Sequence, residues 1–215
     1  MTTNDGGSGG VLPFLGKGQA TFASLASPLS INGQPYTLVD SIASLATAVA
    51  ANPGGYYALA NDYDARVGGV YTASPIPEVF DGTFEGLGNT ISHLRVRDRV
   101  KFDAVGLFAE LGEHGAVNGL RLSGVDLLGG DGNAIGGIVG GDSAHGECDG
   151  SLVNDSVSGT IHGLGGFLAG GGLAGCVDAI AYSSSSATVY AKRAEFIGGL
   201  AGGGGGSPAH TLPAQ

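Results

Sequence analysis

Val105-Gly106-Leu107-Phe108-Ala109, Ile135-Gly136-Gly137-Ile138-Val139-Gly140, Leu164-Gly165-Gly166-Phe167-Leu168-Ala169-Gly170 and Ile197-Gly198-Gly199-Leu200-Ala201-Gly202 are one phrase written four times. Each has an apolar residue, one or two glycines, then two or three more apolar residues. Their first residues stand 30, 29 and 33 apart. A fixed period in this range marks a stack of similar units, each unable to bury its apolar face without a neighbour.

Between the phrases lies a second similarity. Gly150 to Gly163 (GSLVNDSVSGTIHG) matches Asp178 to Ala191 (DAIAYSSSSATVYA) at a constant offset of 28, pairing Leu152 with Ile180, Ser156 with Ser184, Thr160 with Thr188 and Ile161 with Val189. Gly115 to Leu128 fits the same frame more loosely. These segments are short, rich in β-branched residues or serine, and punctuated by Gly or Asn, the pattern of strand, corner, strand. Units of about 30 residues made of short strands and tight corners close into rungs of a parallel β-solenoid, with neighbouring strands about 4.8 Å apart. The chain carries 43 glycines in 215 residues. Glycine-rich chains without a period are more often disordered, so the period decides for a folded domain.

These residues resemble the GLUG motif repeat of large secreted bacterial surface proteins of the filamentous haemagglutinin and autotransporter type. The resemblance is carried by each Ile/Leu-Gly-Gly opening and by Gly150-Ser-Leu-Val-Asn154 followed by Ser158-Gly159-Thr160-Ile161. Tyr57 to Asp64 (YALANDYD), Phe80 to Leu94 (FDGTFEGLGNTISHL) and Ile31 to Val39 (INGQPYTLV) resemble the segments that precede such repeats. The pattern departs at Ala181-Tyr-Ser-Ser-Ser-Ser186, where the usual Asn-centred corner is missing, and after Gly202, where the fourth repeat dissolves into glycines. The resemblance implies a non-catalytic structural or adhesive segment of a secreted, surface-exposed protein with neighbouring domains.

The expected fold is therefore all-β: a right-handed parallel β-helix (β-solenoid) with one short N-terminal helix. The expected divisions are a lead with weak strands over 1–30, the solenoid over 31–203 and a flexible tail over 204–215. Repeats fall at about 105–134, 135–163, 164–196 and 197–203. Asp40 is the expected cap of the helix, whose Ile42, Leu45 and Val49 share a face and which Asn52-Pro53-Gly54-Gly55 stops. Its expected place is against an early rung, shielding an open end of the solenoid. Farther on, Ile91, Leu94 and Val96 form an inward set, with His93, Arg95 and Arg97 pointing away.

Composition narrows the function. Charged residues make up 13% of the chain and the formal net charge is -10, which argues against nucleic acid as a partner, since that needs a basic footprint. No apolar run reaches the length of a membrane span. Met1 to Gly10 has neither a basic nor an apolar signal region, so export would imply a signal outside this sequence.

Four of the nine basic residues fall at Arg95, Arg97, Arg99 and Lys101, and a continuous strand would put them on one face as a stripe for an anionic glycan or a host-surface ligand. The bland alternative is a solvated face broken at Asp98. Asp62, Asp64, Asp81 and Glu85 raise paired-carboxylate chemistry or calcium binding, the basis of the alternative reading as a carbohydrate-active enzyme of lyase or glycoside hydrolase type. Their Asn and Gly neighbours favour corner capping instead. Ice binding would need flat threonine ladders, which are missing.

Gly141-Asp142-Ser143 with His145 has the look of a serine-nucleophile loop without its partners. Gly170 to Gly175 satisfies GxGxxG, with Glu195 beyond it, but no helix follows. Gly129-Gly130-Asp131-Gly132-Asn133 is a single half of a tandem calcium repeat. No cofactor and no metal is expected. Cys148 and Cys176 lie 28 apart, the repeat offset, so they should stack on adjacent rungs with Cα atoms near 5 Å, as a disulfide or as a buried thiol pair.

Overall fold

The computed structural model describes residues 2–3, 14, 18–131, 133–141 and 148–204, with the side chains of 2–3 and 166–168 outside the description. The chain winds as a parallel β-solenoid of about five turns. One face is the parallel stack Gln34–Val39, Tyr56–Leu59, Thr83–Glu85, Ala116–Asn118, Ser151–Val153 and Ala179–Ala181. A second carries Tyr63–Asp64, Thr90–Ser92, Arg121–Gly129, Ser156–Gly171, Ser184–Ser185 and Thr188–Gly198. On the third, Ile76–Phe80 pairs with Phe108–Leu111, and isolated bridges carry the ladder through Val139 to Ala174–Val177 and Ala201–Gly204.

Residues in register stack as columns. Tyr57, Phe84, Val117, Leu152 and Ile180 form one, and Val96, Leu127, Ile161 and Val189 another. Phe80 and Phe108 stack with ring centroids 5.1 Å apart, and Phe84 lies 5.9 Å from Phe108. All three are fully buried, and burying such a side chain contributes about 2–3 kcal/mol.

Helix Ile42–Ala51 closes the first turn. Ser41, not Asp40, is its cap: the Ser41 side chain accepts from the Ser44 amide and Ser44 reciprocates, while Asp40 Oδ1 accepts from both hydroxyls. Ile42, Leu45 and Val49 are buried with Val39, Tyr57, Ile76 and Phe80. The Tyr57 hydroxyl donates to Ala48 and Asn52 carbonyls at 2.8 and 2.7 Å, pinning the helix end to the stack.

The stretch expected as a weak lead is more ordered than its scattered apolar residues suggested. Leu29–Ile31 and Gln34–Val39 form an antiparallel hairpin, turned by Asn32 at φ 53° and Gly33 at φ 79°, the left-handed pair that Asn-Gly supplies to a tight hairpin. Ala20 and Phe22 donate backbone hydrogen bonds to Leu87 and Ala60. A second apolar cluster results on the outer surface of the early turns, with Leu29, Ile31, Leu38, Ala58, Ala60 and Leu87 buried against Phe14, Ala20 and Phe22.

The register corrects the repeat alignment. Ile135 pairs with Ala104–Val105 on one side as expected, but on the other with Gly170 rather than Leu164. The third copy of the phrase is thus Gly170-Gly-Gly-Leu-Ala-Gly175, the stretch that resembled a dinucleotide loop, and it continues in register to Ile197 and Ala201. The phrase is glycine-rich because backbones meet there: a Cβ on Gly136 would strike Ala174, and one on Gly175 would strike Ala134 and Ile135. The misalignment traces to unequal corners. Val139 to Leu152 spans 13 residues, whereas the matching Phe108 to Val117 spans 9 and Ala174 to Ile180 spans 6.

The last three strands of the first face are each followed by a left-handed residue at one position: Gly119 at φ 64°, Asn154 at φ 58° and Tyr182 at φ 53°, aligned by the register of the strands before them. Tyr182 is 85% exposed, so its ring adds little burial to offset a conformation that costs a bulky L-residue about 1 kcal/mol. Tyr182→Asn should raise stability to urea by about 0.5–1 kcal/mol, and Asn154→Tyr should lower it by a similar amount. A neutral Asn154→Tyr would contradict the corner assignment.

Candidate functional site

The four basic residues do not form one stripe. The strand ends at Arg97, and Asp98 turns the chain, its Oδ1 accepting from the Val100 amide at 2.8 Å. Arg95 and Arg97 flank Asp126 on the next turn. Arg95 Nε lies 3.3 Å from Asp126 Oδ2, and Arg97 pairs with the same oxygen and donates to the Asp126 carbonyl at 2.7 Å. These two guanidinium groups hold the Asp126 carboxyl below its ordinary pKa against the opposing effect of burial. Arg99 and Lys101 are exposed beyond the strand, with Lys101 Nζ 3.6 Å from Asp131.

Three of the four candidate acids are corner pieces. Asp62 Oδ1 accepts from the Thr90 amide at 2.7 Å, and Asp81 Oδ1 from the His114 amide at 2.8 Å. Asp64 caps the short helix Ala65–Gly68, pairs with the Arg66 guanidinium and lies 3.2 Å from His93 Nδ1. Hydrogen bonds from Arg66 hold its carboxyl well below the usual range. The same logic runs inside the stack: Asp155 Oδ1 accepts from Leu120 N at 2.8 Å, Ser183 Oγ from Asp155 N at 2.9 Å, and Asn89 Nδ2 donates to the Leu59 carbonyl at 2.9 Å. Asp155 and Asn89 escaped sequence reading, although each stands at the residue that ends a corner.

Glu85 is different. It ends strand Thr83–Glu85 on the outer surface of the first face, only 8% exposed, where the hairpin overhangs the sheet. Register places it between Ala58 and Asn118, and its Oε1 accepts from Asn118 Nδ2 at 3.0 Å. Burial pushes its carboxyl up to about 7 against the lowering effect of Asn118. Tyr36 and Tyr56 stand beside it, with centroids 5.4 Å apart and edge to face. Burial, and then Glu85, raise the Tyr36 hydroxyl. Together they line a cleft of about 330 Å³ between the Asn32-Gly33 turn and the sheet.

Cys148 and Cys176 are joined by a disulfide with Cα atoms 5.0 Å apart, about one strand spacing. The bond closes the C-terminal side of the longest corner. Asp142, Ser143 and His145, the serine-loop candidates, lie within that corner and outside the described residues, as does Gly132 of the calcium-like pentad. Asn133, from the same pentad, is buried and accepts from the Asp103 amide at 3.1 Å. Among the described residues, no group of three or more His, Cys, Asp or Glu is placed to hold a metal ion, and no helix is long and apolar enough to cross a membrane.

No protein-family model matches the chain, and no solved structure matches it. A curated protein does. Halomucin of Haloquadratum walsbyi is 29% identical over 177 residues. That alignment covers 82% of this chain and 2% of Halomucin, so the chain spans about one fiftieth of the length of the relative it matches. The match carries nothing on the GLUG repeat.

The Glu85 carboxyl generates a pH prediction. Its folded pKa of about 7 stands above the ordinary 4.5, so between those values the folded chain holds a proton that the unfolded chain has lost. The stabilisation is complete below about pH 4.5 and is lost as pH rises through 7. Glu85→Gln should therefore flatten the decline in melting temperature between pH 5 and 8 and be more stable at pH 8 by up to about 3 kcal/mol. Asp155, whose carboxyl is also raised by burial, leaves a residual slope of the same sign. An unchanged profile would contradict the buried placement of Glu85.

Proposed function

We propose that this chain is a non-catalytic structural segment of a much larger secreted or surface-exposed protein, built on a module of the GLUG type. The observation that carries the reading is what the stack does with its acids. Asp62, Asp64, Asp81 and Asp155 each accept a hydrogen bond from a backbone amide at or beside a corner. Groups held this way set register and are poor general acids or bases, whereas a glycosidase needs two carboxylates free to face one bond. A solenoid whose rungs are added by repetition suits a spacer or adhesive surface, because length grows without a new core being invented.

Similarity to Halomucin over most of this chain supports the placement within a long protein, since the aligned stretch is a small part of that relative. The low charge content, 13% of the chain, is compatible with it too, because Ser, Thr, Asn and Gly can solvate a surface with few ion pairs. Antibody raised against residues 31–203 should label intact source cells or the culture medium without permeabilisation. Incubation of the purified chain with a polysaccharide panel should release no new reducing ends or unsaturated products. Labelling that requires permeabilisation would contradict the surface assignment, and turnover lost on changing Asp62 or Asp64 would contradict the non-catalytic one.

A further inference from the structure

The cleft under the hairpin has the composition of a small-molecule site. We propose that it binds a neutral saccharide of one or two pyranose rings, held by Tyr36 and Tyr56 against the apolar faces of the sugar and by Glu85 and Asn118 at its hydroxyls. The inference deepens the reading as a surface segment by giving that segment a ligand, and it requires only that the sugar be held, not cleaved.

Four observations lead there. First, the cleft, open to solvent on one side, is about 330 Å³, at the small end of the roughly 300–1,000 Å³ that ligand sites occupy. Second, two tyrosines at 5.4 Å meet edge to face at its rim, with Tyr56 38% exposed. Aromatic rings with a polar tip suit pyranose rings, which present C–H faces and hydroxyl edges. Third, the remaining polar lining is almost entirely amide: Asn32, Gln34, Asn118 and Asn154. Side-chain amides donate and accept at once, as a hydroxyl does, so they match vicinal diols better than they match an ion.

Fourth, among the described residues no Lys or Arg lines the cleft, which disfavours sulfated or uronic sugars and separates this site from the Arg95–Lys101 region. Glu85 and its partner Asn118 form an acid-amide pair joined by a 3.0 Å hydrogen bond. The pair is preorganised by neighbouring strands inside the sheet, since Thr83–Glu85 and Ala116–Asn118 each have at least two strands on either side. Such rigidity lowers the ordering cost of binding. The opposite wall is the Asn32-Gly33 turn, whose left-handed backbone lets it lean over the sheet.

The test is titration of the full chain with cellobiose, maltose, lactose and N,N′-diacetylchitobiose, followed by amide shifts and saturation-transfer NMR. At least one should bind with a dissociation constant of about 10 mM or tighter, shifting the amides of Thr83, Glu85 and Asn118. Tyr56→Ala, at an exposed position, and Asn118→Ala should each weaken that binding about fivefold or more, with circular dichroism unchanged. If Asn118→Ala unfolds the chain, Tyr56→Ala alone carries the test. The proposal is overturned if no disaccharide moves those amides, if the shifts persist at full affinity in Tyr56→Ala, or if tetramethylammonium moves them and no sugar does. Binding at these amides with cleavage of the sugar would support the site while overturning the non-catalytic reading, so the two claims fail separately.

Discussion

Parallel hydrogen bonding between successive turns is the constraint from which the rest of this structure follows. Each strand of the first face has its parallel backbone partners 20 to 35 residues away, so no rung is complete without the next. A column that faces the core has to be apolar throughout, since its stacked positions share one buried environment. Tyr57, Phe84, Val117, Leu152 and Ile180 vary in shape but are all apolar. Where the backbone turns, its amides lose their ladder partners and must find others. Asp62, Asp81, Asp155 and Ser183 supply them, which is why a chain with so few charged residues places acids at its corners.

The same constraint accounts for what could be read in the sequence and what could not. The period of the glycine phrase, the offset of 28 between the last two turns and the inward set Ile91, Leu94 and Val96 were all legible. The three-residue step from Ile91 to Leu94 breaks strict alternation because His93 turns the corner at φ 58°. The third phrase was misassigned because Leu164-Gly-Gly and Gly170-Gly-Gly are both compatible with the pattern, and only the extra residues of the 13-residue corner choose between them. Periodicity measures the average turn, not the corner that carries an excursion. The hairpin at Asn32-Gly33 was readable from its turn chemistry alone, although the resemblance to a repeat module implies an opening strand at Ile31. The covering segment around Phe14, Ala20 and Phe22 had no period to find, because it packs across the rungs rather than within them.

For the candidate site, spacing misled and burial informed. Arg95, Arg97, Arg99 and Lys101 alternate as a strand would, yet the buried Asp98 ends the strand after Arg97, and Asp126 pairs with both of that strand's cations. Glu85 stood among four acids with nothing to mark it out. Its distinction comes from an overhang made by residues some 50 positions earlier, a relation that a linear pattern does not encode.

The central claim is the register itself, and interstrand nuclear Overhauser contacts on uniformly labelled protein test it most directly. The account predicts contacts linking Leu152 to Ile180, Val117 to Leu152 and Ile135 to Gly170. Contacts linking Ile135 to Leu164, or antiparallel patterns between any of these strands, would contradict it.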